Sequence, residues 1–220
     1  MIPRRRERYG LLLGAIVLAF LIEGIADPND WGQVFITVLL GITLLLAFWT
    51  ADVQPVFMRS AAVLIALLIL TSVVDALAGD PNGAPTRLVN ALLVALAPVA
   101  VVVGVVRTLR ARQAVTLEAV FGVLCVYLLL GMFFAFVYGS VDRLGGYPFF
   151  VGGQSATVSE CQYFSFTTLT TVGYGDLTAR TNLGHTLCMA EALIGQIYLV
   201  TVVSLIVANL GRSRPEARPH

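Results

Sequence analysis

The stretch Thr171-Val172-Gly173-Tyr174-Gly175-Asp176 decides the interpretation of this 220-residue chain, and it lies between two long apolar segments. Glycines at every second position permit backbone angles that a Cβ disfavours, so successive carbonyls can turn to one side. The apolar run before it, Ser159 to Leu169, is too short to span a bilayer, which takes about 20 residues. Irregular backbone at membrane depth is tolerated where it is buried or lines water. We therefore predict a re-entrant helix followed by a carbonyl-lined loop.

The composition indicates an integral membrane protein. Hydrophobic residues make up 58% of the chain and charged residues 12%, with a mean hydropathy of +0.86. Soluble domains are about a quarter charged. The net charge of +1 gives no reason to expect a nucleic-acid partner, so the expected partner is membrane lipid. Cys125, Cys161 and Cys188 lack the paired spacing of a metal site or a disulfide framework.

The apolar segments predict an all-α membrane protein with six transmembrane helices, the re-entrant helix lying between the fifth and the sixth. Each segment is close to the length that a membrane-spanning helix needs. The predicted spans are Tyr9–Ala26, Trp31–Thr50, Val56–Ala78, Thr86–Val106, Thr116–Val141 and Thr181–Leu210.

Arginine placement predicts the orientation, because cytoplasmic loops carry an excess of positive residues. Six spans put both termini on one side, and 11 of the 14 arginines fall on that side. Those 11 are Arg4, Arg5, Arg6, Arg8, Arg59, Arg107, Arg110, Arg112, Arg212, Arg214 and Arg218. We therefore predict a multi-pass plasma membrane protein with cytoplasmic termini and an outward-facing loop at Thr171–Asp176.

The loop and its flanks resemble the potassium channel family, in its prokaryotic six-helix type without a cytoplasmic ligand domain. The resemblance covers the family's pore module over about residues 116–211. It implies a homotetramer in which four loops replace the hydration shell of K⁺. K⁺ is then the permeant ion, and no cofactor is expected. The resemblance assigns the K⁺-binding selectivity filter to Thr171, Val172, Gly173, Tyr174 and Gly175.

Several neighbouring residues also match the family's pattern, and one departs from it. Tyr163 and Phe164 resemble an aromatic cuff around Tyr174, and Asp176 resembles the carboxylate ring at the outer mouth. Thr167 stands where some bacterial members have a glutamate that pairs with the filter aspartate. That pair is absent here, so the resemblance carries no inference about inactivation.

The last span contains the positions that resemble a gate. Gly195 resembles the hinge glycine of the inner helix, although a packing glycine is the alternative. Val203 and Val207 are one helical turn apart and resemble an inner apolar gate. Glu191, one turn before Gly195, is a possible modulatory site that senses protons or cations. The alternative is a structural carboxylate hydrogen-bonded to the base of the pore helix.

The predicted domain organisation is a four-helix transmembrane domain at 1–112, a pore domain at 113–211 and a short cytoplasmic tail at 212–220. A voltage sensor needs several arginines inside the membrane field. The fourth span has none between Leu88 and Val106, and Arg107, Arg110 and Arg112 cluster at its inner end. We therefore predict weak voltage dependence. The alternative is a voltage-gated channel in which that cluster is an atypical sensor.

The sequence disfavours two further functions and an enzyme. A membrane subunit of a potassium uptake system usually has four pore loops in one long chain, and this chain has one. A non-conducting regulatory subunit would not need an intact filter. His185 and His220 have no triad or metal-ligand partner in the sequence, so no enzyme is predicted.

Overall fold

Six α-helices account for most of the residues that the structure describes. The computed structural model describes residues 5–25, 30–50, 55–77, 117–153 and 156–204. The helices are α1 (Arg5–Ile25), α2 (Asp30–Thr50), α3 (Pro55–Leu77), α4 (Leu117–Leu144), α5 (Val158–Leu169) and α6 (Asn182–Tyr198). A 3₁₀ turn covers Val151–Gly153, and a π-helical segment, Leu199–Val203, continues α6.

The helix bounds follow the apolar segments of the sequence to within a few residues. The first, second, third and fifth predicted spans correspond to α1, α2, α3 and α4, and the predicted re-entrant helix corresponds to α5. The sixth predicted span is helical from Asn182 through Val203. The fourth predicted span, Thr86–Val106, lies outside the described residues, as do Arg107, Arg110 and Arg112.

Three of the described helices are long and apolar enough to cross a membrane. They contain the stretches Arg8–Ile25, Val120–Leu144 and Asn182–Val202. A shorter apolar stretch, Phe35–Trp49, belongs to α2. The all-α class is thus confirmed over the described residues, and three of their helices could span a membrane. The six spans, the re-entrant pore helix and the tetramer stay predictions.

The helices pack in an order that places α1 directly against the C-terminal part of the chain. α1 contacts α2, α4 and α5, α2 contacts α3, and α4 and α5 both contact α6. One core cluster joins α1, α2 and α4 through Leu12, Ile16, Leu44 and Leu129, all at most 1% exposed. Arg8 lies over the ring of Trp49 at 4.3 Å, which fixes one end of the α1–α2 pair.

A loop after α4 joins the segment that precedes α6. Phe150 and Ala179 form an isolated antiparallel bridge, in which Val151 N donates to Thr178 O at 2.9 Å. Asp142 of α4 accepts from Phe149 N at 2.7 Å and holds the start of this loop. The chain after Asp176 therefore returns to the end of the molecule at which α4 ends.

Candidate functional site

α5 has strong local signals at its N-terminus. Thr157 is the N-cap, and its Oγ1 accepts from Glu160 N at 3.2 Å. Glu160 Oε2 accepts in return from Thr157 N at 3.1 Å, which completes a capping box. Such a box satisfies backbone donors that a helix start otherwise leaves unpaired. These residues therefore favour the start of a helix here. The helix ends at Leu169, directly before the loop that follows.

The loop after α5 alternates in backbone conformation. φ is 57° at Thr171, 49° at Gly173 and 82° at Gly175, while Val172 and Tyr174 between them do not have positive φ. The sequence predicted unusual angles at the two glycines, and the structure has them. Thr171 is the non-glycine residue with positive φ among the described residues, and its Cβ makes this conformation costly. Alternation of this kind turns successive carbonyls to one side.

The base of the loop is attached to the last turn of α5 and to α6. The carbonyl of Thr167 accepts from Val172 N at 2.8 Å and from Gly173 N at 3.1 Å. Gln196 of α6 donates from Nε2 to Thr171 Oγ1 at 3.3 Å. Thr167 therefore supports the loop through its backbone, and its own hydroxyl donates to Phe164 O. Gln196 is not among the predicted site residues, and its only signal in the sequence is that it is a polar residue inside an apolar span.

Of the two predicted cuff residues, Tyr163 contacts Tyr174 within the single chain. The ring of Tyr163 stacks on that of Tyr174, with centroids 6.3 Å apart and planes 2° from parallel. The Tyr163 hydroxyl also donates to Asp176 Oδ2 at 2.8 Å. Phe164 packs against Phe149 and other buried rings. Neighbouring residues of a helix are about 100° apart, so Tyr163 and Phe164 lie on different faces of α5.

Replacement of Tyr163 by Phe is expected to weaken the support of the loop. The variant keeps the ring stack on Tyr174 but loses the hydrogen bond to Asp176, and that bond raises the pKa of Tyr163 above its ordinary value. A raised pKa means that the bond is present across neutral pH and is lost as pH rises through that value. If the loop is the K⁺ filter that the sequence predicts, the variant should lose K⁺ over Na⁺ discrimination several-fold in a liposome flux assay. Tyr147→Phe is the control, and equal effects of both variants would contradict the assignment.

Two glycines let the flanking helices approach α5 closely. A Cβ built on Gly195 of α6 would lie 2.7 Å from Leu169 Cδ1 and 2.9 Å from Leu169 O. A Cβ on Gly131 of α4 would lie 2.6 to 2.9 Å from three ring atoms of Phe166. Gly195 thus has the packing contact that the sequence left as the alternative to a hinge. The helical irregularity lies further on, in the π segment Leu199–Val203.

Glu191 lies at the junction of three helices. Its side chain is fully buried, and Oε1 is 2.5 Å from Ser165 Oγ of α5. Oε2 receives a hydrogen bond from the hydroxyl of Tyr138 of α4. Ser165 Oγ is also 2.7 Å from Gly131 O. Glu191 therefore contacts α5, as expected if it is a structural carboxylate. It also contacts Tyr138, which the sequence did not indicate as a partner.

A polar contact also ties α1 to α5. Gln162 Nε2 donates to Phe20 O at 3.1 Å and to Glu23 Oε2 at 3.3 Å, and Ser159 Oγ donates to Gly24 O at 3.0 Å. Glu23 is 1% exposed, and its Oε1 has no hydrogen-bond partner among the described residues. The first helix is thus packed on α5 of its own chain. The sequence gave no indication of which helix would lie there.

Replacement of Gln162 by Leu is expected to destabilise this contact. It leaves the buried Glu23 carboxyl without a donor, which costs about 1–3 kcal/mol. We expect a lower unfolding temperature in detergent. The double variant Glu23→Leu with Gln162→Leu replaces both partners and should recover most of the loss. A double variant that is less stable than Gln162→Leu alone would contradict this account.

The structure describes some of the remaining predicted residues and not others. Asp176 lies beside Tyr163, as described above, and His185 Nε2 lies 2.8 Å from Ala179 O at the start of α6. Val203 belongs to the π segment, but its side chain is outside the described residues. Val207 is outside them as well. The predicted inner gate therefore stays a prediction.

Comparison with known proteins places part of the chain in a family. Residues 122–212 match the family model described as "Ion channel". No curated protein matches the chain. The matched range contains most of α4, together with α5, the Thr171–Asp176 loop, α6 and the π segment. This part of the chain is similar to an ion channel domain.

Proposed function

We propose that residues 122–212, which match the ion channel family model, form a potassium-selective pore for passive K⁺ flux. The observation that carries the proposal is the alternating backbone of Thr171, Gly173 and Gly175 directly after the short helix α5. A strand of carbonyls turned to one side can replace the water around a dehydrated K⁺ ion. Thr171, Val172, Gly173, Tyr174 and Gly175 are the proposed filter residues.

The path of the chain supports a re-entrant loop. α5 has 12 residues and rises only about 18 Å, too little to cross a bilayer. The bridge between Phe150 and Ala179 returns the chain to the end at which α4 finishes. The negative end of the α5 dipole then points at the base of the filter, where it favours a cation.

The exposure of the filter side chains supports a homotetramer. Val172 is 52% exposed and Tyr174 72% exposed in the single chain. Large side chains beside a filter are expected to be buried by neighbouring subunits. One loop also supplies only a quarter of a closed ring of carbonyls. α6 also exposes Met189, Leu193 and Ile197, which are four residues apart and share one face. Four copies around an axis would cover these surfaces and place four Asp176 carboxylates at the mouth, where they concentrate cations.

The gating mode belongs to the same proposal. We propose that the pore is not steeply voltage-gated, because the predicted fourth span carries no arginine between Leu88 and Val106. Gly195 as a hinge and Val203 with Val207 as the inner gate remain proposals from the family resemblance. The proposed orientation has cytoplasmic termini in the plasma membrane, with the filter opening outward. Membrane lipid is the proposed environment, and no cofactor is needed.

Two other functions remain as alternatives. A voltage-gated channel would use the cluster of Arg107, Arg110 and Arg112 as its sensor. A membrane subunit of a potassium uptake system would use the same loop together with other loops. Neither has a specific observation in its favour.

Flux measurements on purified protein in liposomes test the proposal. K⁺ efflux should exceed Na⁺ efflux by a large factor and should vary little with imposed voltage, while protein-free liposomes show neither. Equal K⁺ and Na⁺ fluxes would refute potassium selectivity. Flux that rises steeply with voltage, and that loses this dependence when Arg107 and Arg110 are neutralised, would refute the gating proposal alone.

A further inference from the structure

Glu191 belongs to a network of three close oxygen–oxygen contacts, but only two hydroxyl groups are present to donate hydrogen bonds in it. Three contacts are present: Gly131 O with Ser165 Oγ, Ser165 Oγ with Glu191 Oε1, and Tyr138 Oη with Glu191 Oε2. Each needs one proton between its two oxygens. Ser165 and Tyr138 each supply one, because a hydroxyl has a single donor. The carbonyl of Gly131 can only accept. One contact therefore lacks a proton if Glu191 is ionised.

We infer that Glu191 is a protonated carboxylic acid that donates to Ser165 and so positions α5 against α4 and α6. Its proton lies on Oε1, which donates a hydrogen bond to Ser165 Oγ. The Ser165 hydroxyl in turn donates a hydrogen bond to Gly131 O. Oε2 accepts from Tyr138. Every oxygen pair then has one proton, and the network joins three helices behind the Thr171–Asp176 loop. Glu191 is in this sense a positioning residue and does not touch the permeant ion.

The surroundings of Glu191 favour the neutral acid. The side chains of Glu191, Ser165 and Tyr138 are all buried without exposure. The other titratable groups that face it are Tyr127 of α4 and Cys188 of α6, and neither type can carry a positive charge. A buried carboxylate without a cationic partner is strongly disfavoured. The geometry and the absence of a positive charge among these facing groups thus point the same way.

The consequence for the pore is a dependence on pH that rests on the proposed function. The protonated form makes the contact, so the contact is complete at lower pH and is lost as pH rises and the proton leaves. Ser165 lies on the helix that ends at the filter, and Gly195 packs on the end of that helix one turn after Glu191. Loss of the contact at alkaline pH should therefore reduce K⁺ flux.

Infrared spectroscopy of the purified wild-type protein tests the proton directly and needs no flux. The spectrum should contain the carbonyl stretching band of a protonated carboxylic acid, and Glu191→Gln should remove that band. Glu23→Gln, the matched change at the other buried glutamate, should leave it in place. Ser165→Ala should shift the band, because it removes the acceptor of the Glu191 proton. A spectrum in which Glu191→Gln removes no such band overturns the inference, whether or not the protein conducts potassium.

Flux across a pH series tests the positioning role. Glu191→Gln keeps a donor and an acceptor in place, so flux at neutral pH should stay within about twofold and the alkaline loss should disappear. Glu191→Ala leaves buried groups without partners and should lower flux by about tenfold or more. A Glu191→Gln variant that loses as much flux as Glu191→Ala, or that keeps the alkaline loss, overturns the positioning role. Absence of K⁺ flux in the wild type would instead refute the proposed function and leave the infrared result standing.

Discussion

Replacement of Gly173 by Ala should abolish most of the K⁺ over Na⁺ discrimination. Gly173 has a φ of 49°, and a Cβ in this left-handed conformation costs about 1–2 kcal/mol per residue. The proposed tetramer contains four copies, so the cost could reach about 4–8 kcal/mol in one ring. The backbone is expected to relieve this strain by turning the neighbouring carbonyls out of line. We expect at least a tenfold loss of discrimination in liposome flux with Na⁺ substitution.

Gly146→Ala is the matched control for this variant. Gly146 has a φ of 67° and lies in the loop after α4, with no atom within 4 Å of a built Cβ. It meets the same conformational cost outside the proposed filter. Its flux and selectivity should therefore stay close to those of the wild type. If Gly173→Ala discriminates as well as the wild type, or if Gly146→Ala is equally impaired, the filter assignment fails.

Replacement of Gly195 by Ala should destabilise the protein and disturb the base of the filter. The added Cβ would meet both the side chain and the carbonyl of Leu169, the last residue of α5. Insertion of a methyl group into a packed contact costs about 1–3 kcal/mol, and backbone cannot move aside as a flexible side chain can. We expect a lower unfolding temperature together with weaker K⁺ discrimination. A hinge glycine alone would instead give unchanged stability and a changed open probability.

Gly14→Ala in α1 provides the comparison for Gly195→Ala. No atom lies within 4 Å of a Cβ built on Gly14, so the methyl group has room. Alanine is favoured over glycine in a helix by about 0.8–1.0 kcal/mol, so this variant should be neutral or stabilised. Unfolding temperatures that are the same for Gly195→Ala and the wild type would contradict the packing role and favour the hinge.

Local signals in the sequence predicted the helices and the loop well. The apolar runs have the length that a bilayer demands, so α1 to α4 begin and end within a few residues of the predicted bounds. Thr157 and Glu160 have the spacing of a capping box, a local signal that was not used to predict α5 but that the structure contains at its start. Glycine is the residue that tolerates positive φ, so the unusual backbone angles at Gly173 and Gly175 could be predicted from the sequence.

Contacts between distant residues could not be predicted in the same way. Phe164 was expected beside Tyr174, yet α5 turns it by about 100° from Tyr163 and places it among the buried rings. Gly131 has no signal of its own in an apolar helix, and only the ring of Phe166 against it shows why a side chain would not fit. Gln162 and Glu23 are 139 residues apart and meet because α1 packs on α5.

The sequence by itself determined the class of the protein, the positions of its helices and the residues of the candidate filter. Each of these depends on the length, hydropathy and backbone preferences of neighbouring residues, which are local properties of the chain. The tertiary structure decided the role of Glu191. A glutamate inside an apolar span indicates only that some partner must exist, since burial of an isolated charge is costly. That the partners are two hydroxyls from two other helices, with one proton too few for an ionised carboxylate, follows only from how α4, α5 and α6 pack together.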